Sequence, residues 1–172
     1  MDVQVLGAWG EFLGGVAGVV ASVGVIGSLI FVGIQLREQN REAQLVAAQE
    51  VSKGYRNVTE TLLEDSTLTG GFLSVVKQGF GELDEVEAMR VQLYFQSVLR
   101  FWEDAFFRYE AGRLDRRHLE SVERGLAAIT SSPGFTQYWA SRSTWYTDSF
   151  ISYIESQRRN TPFRTVKEGV KE

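Results

Sequence analysis

The chain contains no cysteine, which removes disulfides, thiolate metal sites and cysteine nucleophiles from consideration. It has one histidine, His118. A carboxylate-bridged di-iron bundle needs two histidines and several inward acids, and a serine–histidine–acid site would have to be built on His118 with no supporting motif. Basic residues are absent up to Ile34: all 18 Lys and Arg come later, as do all acids except Asp2 and Glu11. With a net charge of −4 there is no strongly basic face, which argues against nucleic acid as a partner. No segment alternates apolar and polar residues as a half-buried strand would, so the expected class is all-α.

What the chain does have is one long uncharged apolar stretch, Phe12 to Ile34. At about 1.5 Å rise per residue it reaches about 34 Å, enough to cross a bilayer core with some tilt. A secretory signal peptide would need a basic n-region, a shorter apolar core and a cleavage site. Here the stretch runs straight into QLREQNREA, so the expectation is a retained transmembrane helix over residues 12–34 preceded by an external segment, 1–11. Arg37, Arg41, Lys53 and Arg56 follow the span and no basic residue precedes it. The positive-inside rule then places the N-terminus outside and the body in the cytoplasm, with Trp9 as an interfacial anchor.

Within and just before this stretch Gly7, Gly10, Gly14, Ala17, Ala21, Gly24 and Ser28 step by three and four alternately. Lipid satisfies apolar side chains as well as a neighbouring helix does, so close backbone approach drives association, and small residues permit it. A seven-residue repeat keeps such a seam facing one partner in a left-handed supercoil. Gly15, Gly18 and Ser22 form a second small row beside it, which suits a ring or bundle. The lipid bilayer and either a homo-oligomer or another membrane subunit are the expected partners. Glu11 lies at the outer end of the span, where a ring of carboxylates would draw cations to a pore mouth; a solvated acid near a helix N-terminus is the plainer reading.

Residues 35–65 lack proline and carry Ala43, Ala47, Val51, Tyr55, Val58 and Leu62 at helical spacing, predicting a stalk that continues the span. Ser66 to Gly71 interrupts the pattern, with Gly70-Gly71 as a turn, and a short helix follows from Phe72 to Lys77. After a turn at Gly79-Phe80-Gly81, Asp84 caps a helix with Glu85 and Glu87 in its first turn, ending near Ala111 before Gly112. Its residues Met89, Val91, Tyr94, Phe95, Val98, Leu99, Trp102, Phe106 and Tyr109 make it apolar on more than one face, as a central helix is. Asp115 caps the next helix, carrying Leu119, Val122, Leu126 and Ile129. Ser132-Pro133 starts another with Phe135, Tyr138, Trp139 and Trp145, proline being favoured at the first helical position. Asp148 caps the last, which holds Phe150, Ile151 and Ile154; after Pro162 a tail is expected over 161–172. The expected head is therefore an antiparallel helical bundle over 66–160 with an aromatic core.

No catalytic, cofactor or metal site emerges. Asp115 and His118 are three apart, and Glu103 and Glu110 share a helical face; exposed helix edges account for them better than chemistry does. Glu103, beside Trp102, would need a partner if buried. The glycines at 14, 15, 18, 24, 27 and 33 imitate a dinucleotide fingerprint but follow no strand. Arg158, Arg159, Arg164, Lys167 and Lys171 give a basic C-terminal end, diluted by Glu155, Glu168 and Glu172.

The combination of FVGIQLREQNREAQ, FWEDAFFRYEAGRLD and SSPGFTQYW resembles a group of single-span bacterial inner-membrane proteins. In that group a glycine-rich span ends in a Q-L-R-x-N-like stretch, followed by W-E, a G-x-L-D turn and P-G…W. Gln35, Leu36, Arg37, Asn40, Trp102, Glu103, Gly112, Leu114, Asp115, Pro133, Gly134 and Trp139 carry the outline. The resemblance implies a bacterial inner-membrane setting and a helical cytoplasmic domain; it implies no activity, cofactor or catalytic residue. The expected function is non-enzymatic: a membrane-anchored oligomeric assembly protein. The alternatives are an accessory subunit of a larger membrane complex and a homo-oligomeric ion channel.

Overall fold

The computed structural model describes the backbone over residues 3–160 and, within it, the side chains of 24–127 and 129–159. Every described element is helical: α1 (Val3–Glu64), α2 (Ser66–Gln78), α3 (Glu85–Glu110), α4 (Arg116–Thr130), α5 (Pro133–Arg142) and α6 (Asp148–Asn160). Short 3₁₀ turns at Phe80–Glu82 and Ser143–Trp145 join them. The chain divides into two compact units, Met1–Ala43 and Gln44–Glu172.

The first unit is a single helical stretch of α1. From Gly24 onward its side chains are exposed on every side. Among the described residues no helix is long and apolar enough to cross a membrane. Residues 12–23 of the expected span have side chains outside the described set, as do Gly7, Gly10, Glu11 and Trp9; the expected tail, 161–172, lies outside it altogether.

The second unit is a helical bundle. The C-terminal part of α1 belongs to it: Ala47 and Val51 are buried, and Ala48, Val58 and Leu62 pack against the core. The expected stalk is thus divided at Ala43/Gln44, its second half being part of the head. Gly54, a weak point on helix propensity alone, sits where a Cβ would come within 2.8 Å of the Phe101 ring; absence of a side chain lets α1 lie close to α3.

The expected break over Ser66–Gly71 is absent, and α2 runs through both glycines. Asp65 supplies the start signal, its Oδ1 accepting from Thr67 N (2.9 Å) and Leu68 N (3.0 Å). A Cβ on Gly71 would stand 3.3 Å from both Leu83 and Val91, so this glycine serves close helix packing. The turn comes later, at Gly79, whose φ of 87° favours glycine. Gln137 from α5 closes it by accepting from Phe80 N at 2.9 Å.

The remaining starts follow local capping chemistry, with the side-chain oxygen answering an amide that the helix leaves open. Asp84 accepts from Glu87 N at 2.8 Å, Asp115 from Arg117 N at 2.8 Å and Ser132 from Phe135 N at 3.2 Å. Gly112, with φ 69°, follows the end of α3. Asp148 is an exception: it is the first residue of α6, not its cap. The residue before it, Thr147, gives its carbonyl to Ile151 N (2.8 Å) and its own amide to Glu103 (3.1 Å).

The core is aromatic. Trp102, Phe95, Phe135 and Phe150 are fully buried. Phe72 of α2 meets Tyr94 and Phe95 of α3 at ring-centroid distances of 5.1 and 5.5 Å, and Phe95 meets Tyr138 of α5 at 5.4 Å. Trp139 stacks on Phe135 and Tyr146, while Phe106 stacks on Tyr153 of α6 at 4.5 Å. Such pairs add about 0.5–1.5 kcal/mol each beyond simple burial. Two residues expected in this core are not in it. Met89 is 52% exposed and Trp145 46%; Met89 points away from the bundle on α3, and Trp145 sits in the 3₁₀ turn under Arg142, 4.4 Å above its ring.

Candidate functional site

Two regions are candidates for a site: the exposed helix of the first unit and the buried polar groups of the second. In the first, Val25, Ile26, Leu29, Ile30, Phe31, Val32 and Ile34 are all exposed, Leu29 at 66%. Each would release about 1.5–3 kcal/mol on full burial, and no described residue covers them. Gly24 and Ser28 are the two seam positions with described side chains. Ser28 donates its hydroxyl to Gly24 O at 2.9 Å, so the one hydroxyl there is satisfied inside the helix. A Cβ built on Gly24, Gly27 or Gly33 meets nothing within 4 Å. The side chains of Gly7, Gly10, Gly14, Ala17, Ala21 and Glu11 lie outside the described residues.

In the second unit the buried acids are committed to structure. Glu103, expected on an exposed edge or, if buried, with a partner, is 6% exposed. Its Oε2 accepts from Arg100 at 2.6 Å, and its Oε1 from the amide and hydroxyl of Thr147 at 3.1 and 3.2 Å. The carboxylate ties α3 to the start of α6, as a buried charge must be tied. Glu110, seven residues on, is exposed, so the two acids do not form a pair. Glu123 is also buried; it accepts from Tyr153 at 2.5 Å, with Gln157 and Arg116 each at 3.4 Å. Sequence reasoning passed over Glu123, because Tyr153 and Gln157 reach it from α6 and are remote in the chain.

Burial, then the Glu123 acceptor, holds the Tyr153 phenol well above its ordinary range, and burial with Tyr138 does the same to Tyr146. These phenols are fixed as neutral hydrogen-bonding groups. Trp102 Nε1 is buried without a well-formed hydrogen bond; its ring lies edge-on to Tyr153, at 5.8 Å between centroids. Trp139 Nε1 donates to Glu155 at 2.6 Å, and Arg158 braces the same acid at 3.3 Å.

His118 is exposed. Asp115 is occupied by the Arg117 amide and guanidinium, at 2.8 and 3.1 Å, contacts that with nearby His118 keep its carboxyl below the ordinary value. Among the described residues no group of three His, Cys, Asp or Glu side chains could hold a metal ion. What the bundle adds, unseen in the sequence, is surface. Val86, Met89 and Leu93 form an exposed ridge on α3. Their three-four spacing was visible, but on a helix apolar over several faces it gave no way to separate outside from inside.

No protein-family model, curated protein or solved structure matches this chain.

Proposed function

We propose that the protein is a membrane-anchored, non-enzymatic assembly protein, its span over 12–34 packing against other transmembrane helices and its bundle serving as a cytoplasmic head. The observation that carries this reading is the exposed apolar helix with unfilled glycines. Among the described residues nothing covers seven large apolar side chains of residues 25–34, and Gly24, Gly27 and Gly33 have open space where a side chain would be. A glycine costs a helix about 1 kcal/mol relative to alanine, and no contact with a described residue offsets it. Lipid covers the apolar side chains, and a neighbouring helix uses the gaps. The Lys and Arg distribution supports an N-terminus outside, and the resemblance noted above supports a bacterial inner membrane.

The neighbour is a second copy or a different subunit. Native mass spectrometry of the protein extracted from its own membrane separates them, read with and without Gly14→Leu and Ala21→Leu. A discrete homo-oligomer that the leucines dissociate supports self-assembly. A complex with other chains, lost in the same variants, supports an accessory subunit. A monomer under every mild extraction contradicts the packing seam. A channel with Glu11 at its mouth is a special case of the homo-oligomer, and Glu11→Gln would then change the reversal potential.

A further inference from the structure

We infer that the neighbour, on the membrane-packing reading above, is a second copy of this chain in a closed ring of parallel helices, the acidic row of one α1 lying against the basic row of the next. At about 100° per residue, Gly24, Ser28, Phe31, Gln35, Glu38 and Glu42 fall along one face of α1. Gly27, Ile30, Ile34, Arg37 and Arg41 fall along a second face, about 100° round the helix from the first. Every residue of both faces is exposed. Each face has a glycine with open space where a side chain would be, Gly24 on the first and Gly27 on the second. Each ends in two charges of one sign, Glu38 and Glu42 on the first and Arg37 and Arg41 on the second. The far side of this segment, with Leu36, Gln39, Asn40 and Ala43, carries no charge.

Like charges one turn apart disfavour a lone helix, and both rows have that spacing. Glu38 and Arg41 stand three apart, yet among the described residues no ion pair involves Arg37, Glu38, Arg41 or Glu42. A parallel copy at the same depth brings Arg37 and Arg41 level with Glu38 and Glu42. It also sets Ile30 and Ile34 of one copy against the face of Gly24 and Ser28 on the next. A foreign helix has to match one row only, whereas the two rows of this chain match each other. In a two-fold parallel dimer each row would meet its own like charges. Two different faces in contact form a head-to-tail arrangement, which closes into a ring; faces about 100° apart suit about four or five copies. Anionic lipid headgroups would answer the arginines and leave the glutamates unpaired.

The test is native mass spectrometry of the full chain extracted from its own membrane, comparing charge variants at matched expression. Glu38→Lys with Glu42→Lys makes both rows basic, and Arg37→Glu with Arg41→Glu makes both acidic. Each double variant is expected to lower the oligomer fraction by about tenfold or more. The first adds cations on the inner side and so keeps the orientation of the span. All four residues are exposed, so the circular dichroism of each variant should match wild type. The four substitutions together exchange the rows and should restore the homo-oligomer, and co-expression of the two double variants should give oligomers containing both. An oligomer that survives both double variants but is dissociated by Gly14→Leu and Ala21→Leu overturns the charge pairing and leaves the packing seam standing. A loss that neither the exchange nor the co-expression repairs also overturns it, as does a complex in which α1 pairs with a different chain. A wild type that is monomeric under every mild extraction overturns both the ring and the seam.

Discussion

The glycines of the two units are small for different reasons. In the second unit Gly134 and Gly71 are small because the chain itself leaves no room: a Cβ on Gly134 would fall 2.2 Å from Val75 Cγ1 and 2.4 Å from Val75 O. In the first unit Gly24, Gly27 and Gly33 face open space. The same contrast holds for the large residues, since Phe95, Trp102 and Phe150 are buried while Leu29, Ile30 and Phe31 are exposed. One unit contains its own packing partner; in the other, large and small side chains alike meet none among the described residues.

Substitutions that fill these positions separate the two cases. Gly134→Ala should have the largest effect on folding, because the obstructing atom is backbone and cannot swing aside. About 3 kcal/mol is expected, at the upper end of overpacking costs, measured by chemical denaturation; a loss under 1 kcal/mol would mean that α2 and α5 do not approach as described. Glu103→Ala should cost about 2–3 kcal/mol, by stranding the Thr147 amide and freeing Arg100. Gly54→Ala should cost about 1 kcal/mol, since the obstacle is the edge of the partly buried Phe101 ring. In the first unit Gly27→Ala should cost nothing and gain up to about 1 kcal/mol of helix stability. A destabilisation there as large as at Gly134 would erase the contrast.

An alkaline titration sharpens it from another side. Burial, then the neighbouring Tyr55, pushes the Tyr94 phenol up to about 12 from an ordinary 10.0. Its folded pKa lies above its unfolded one, so above pH 10 the unfolded chain releases a proton that the folded chain keeps. The stability Tyr94 contributes is complete below pH 10 and is lost as pH rises towards 12. The phenolate absorbance lost in a Tyr94→Phe variant should therefore appear together with loss of near-ultraviolet circular dichroism; full ionisation of Tyr94 at pH 11 in an intact fold would contradict the burial.

What could be read from the sequence was mostly local. Asp84, Asp115, Ser132-Pro133 and Gly112 announce helix ends through their own side chains or backbone freedom, and the structure places them there. The errors arose where a distant residue decides. Gly70-Gly71 reads as a turn until Asp65 caps the helix ahead of it and Leu83 and Val91 press on Gly71. Met89 shares its helix with so many apolar residues that periodicity could not say which face stays open. Glu103 beside Trp102 announces the need for a partner if buried, but not that the Thr147 amide and hydroxyl, 44 positions away, supply it. The exposed apolar residues 25–34 of α1 were legible as part of a long uncharged run, whereas the bonds from Tyr153 and Gln157 to Glu123 arise only when α6 folds against α4.

Because the chain has no cysteine, the membrane reading can be tested one position at a time. Single substitutions Gly24→Cys, Gly27→Cys, Ile30→Cys, Gln39→Cys and Gln49→Cys, expressed in native membranes, would be exposed to a membrane-impermeant maleimide on inverted vesicles. Protection at residues 24, 27 and 30 with full labelling at 39 and 49 is the predicted result, since the three lie within the span and the two beyond it. Equal labelling at all five would show that the apolar helix is open to water and contradict a membrane anchor.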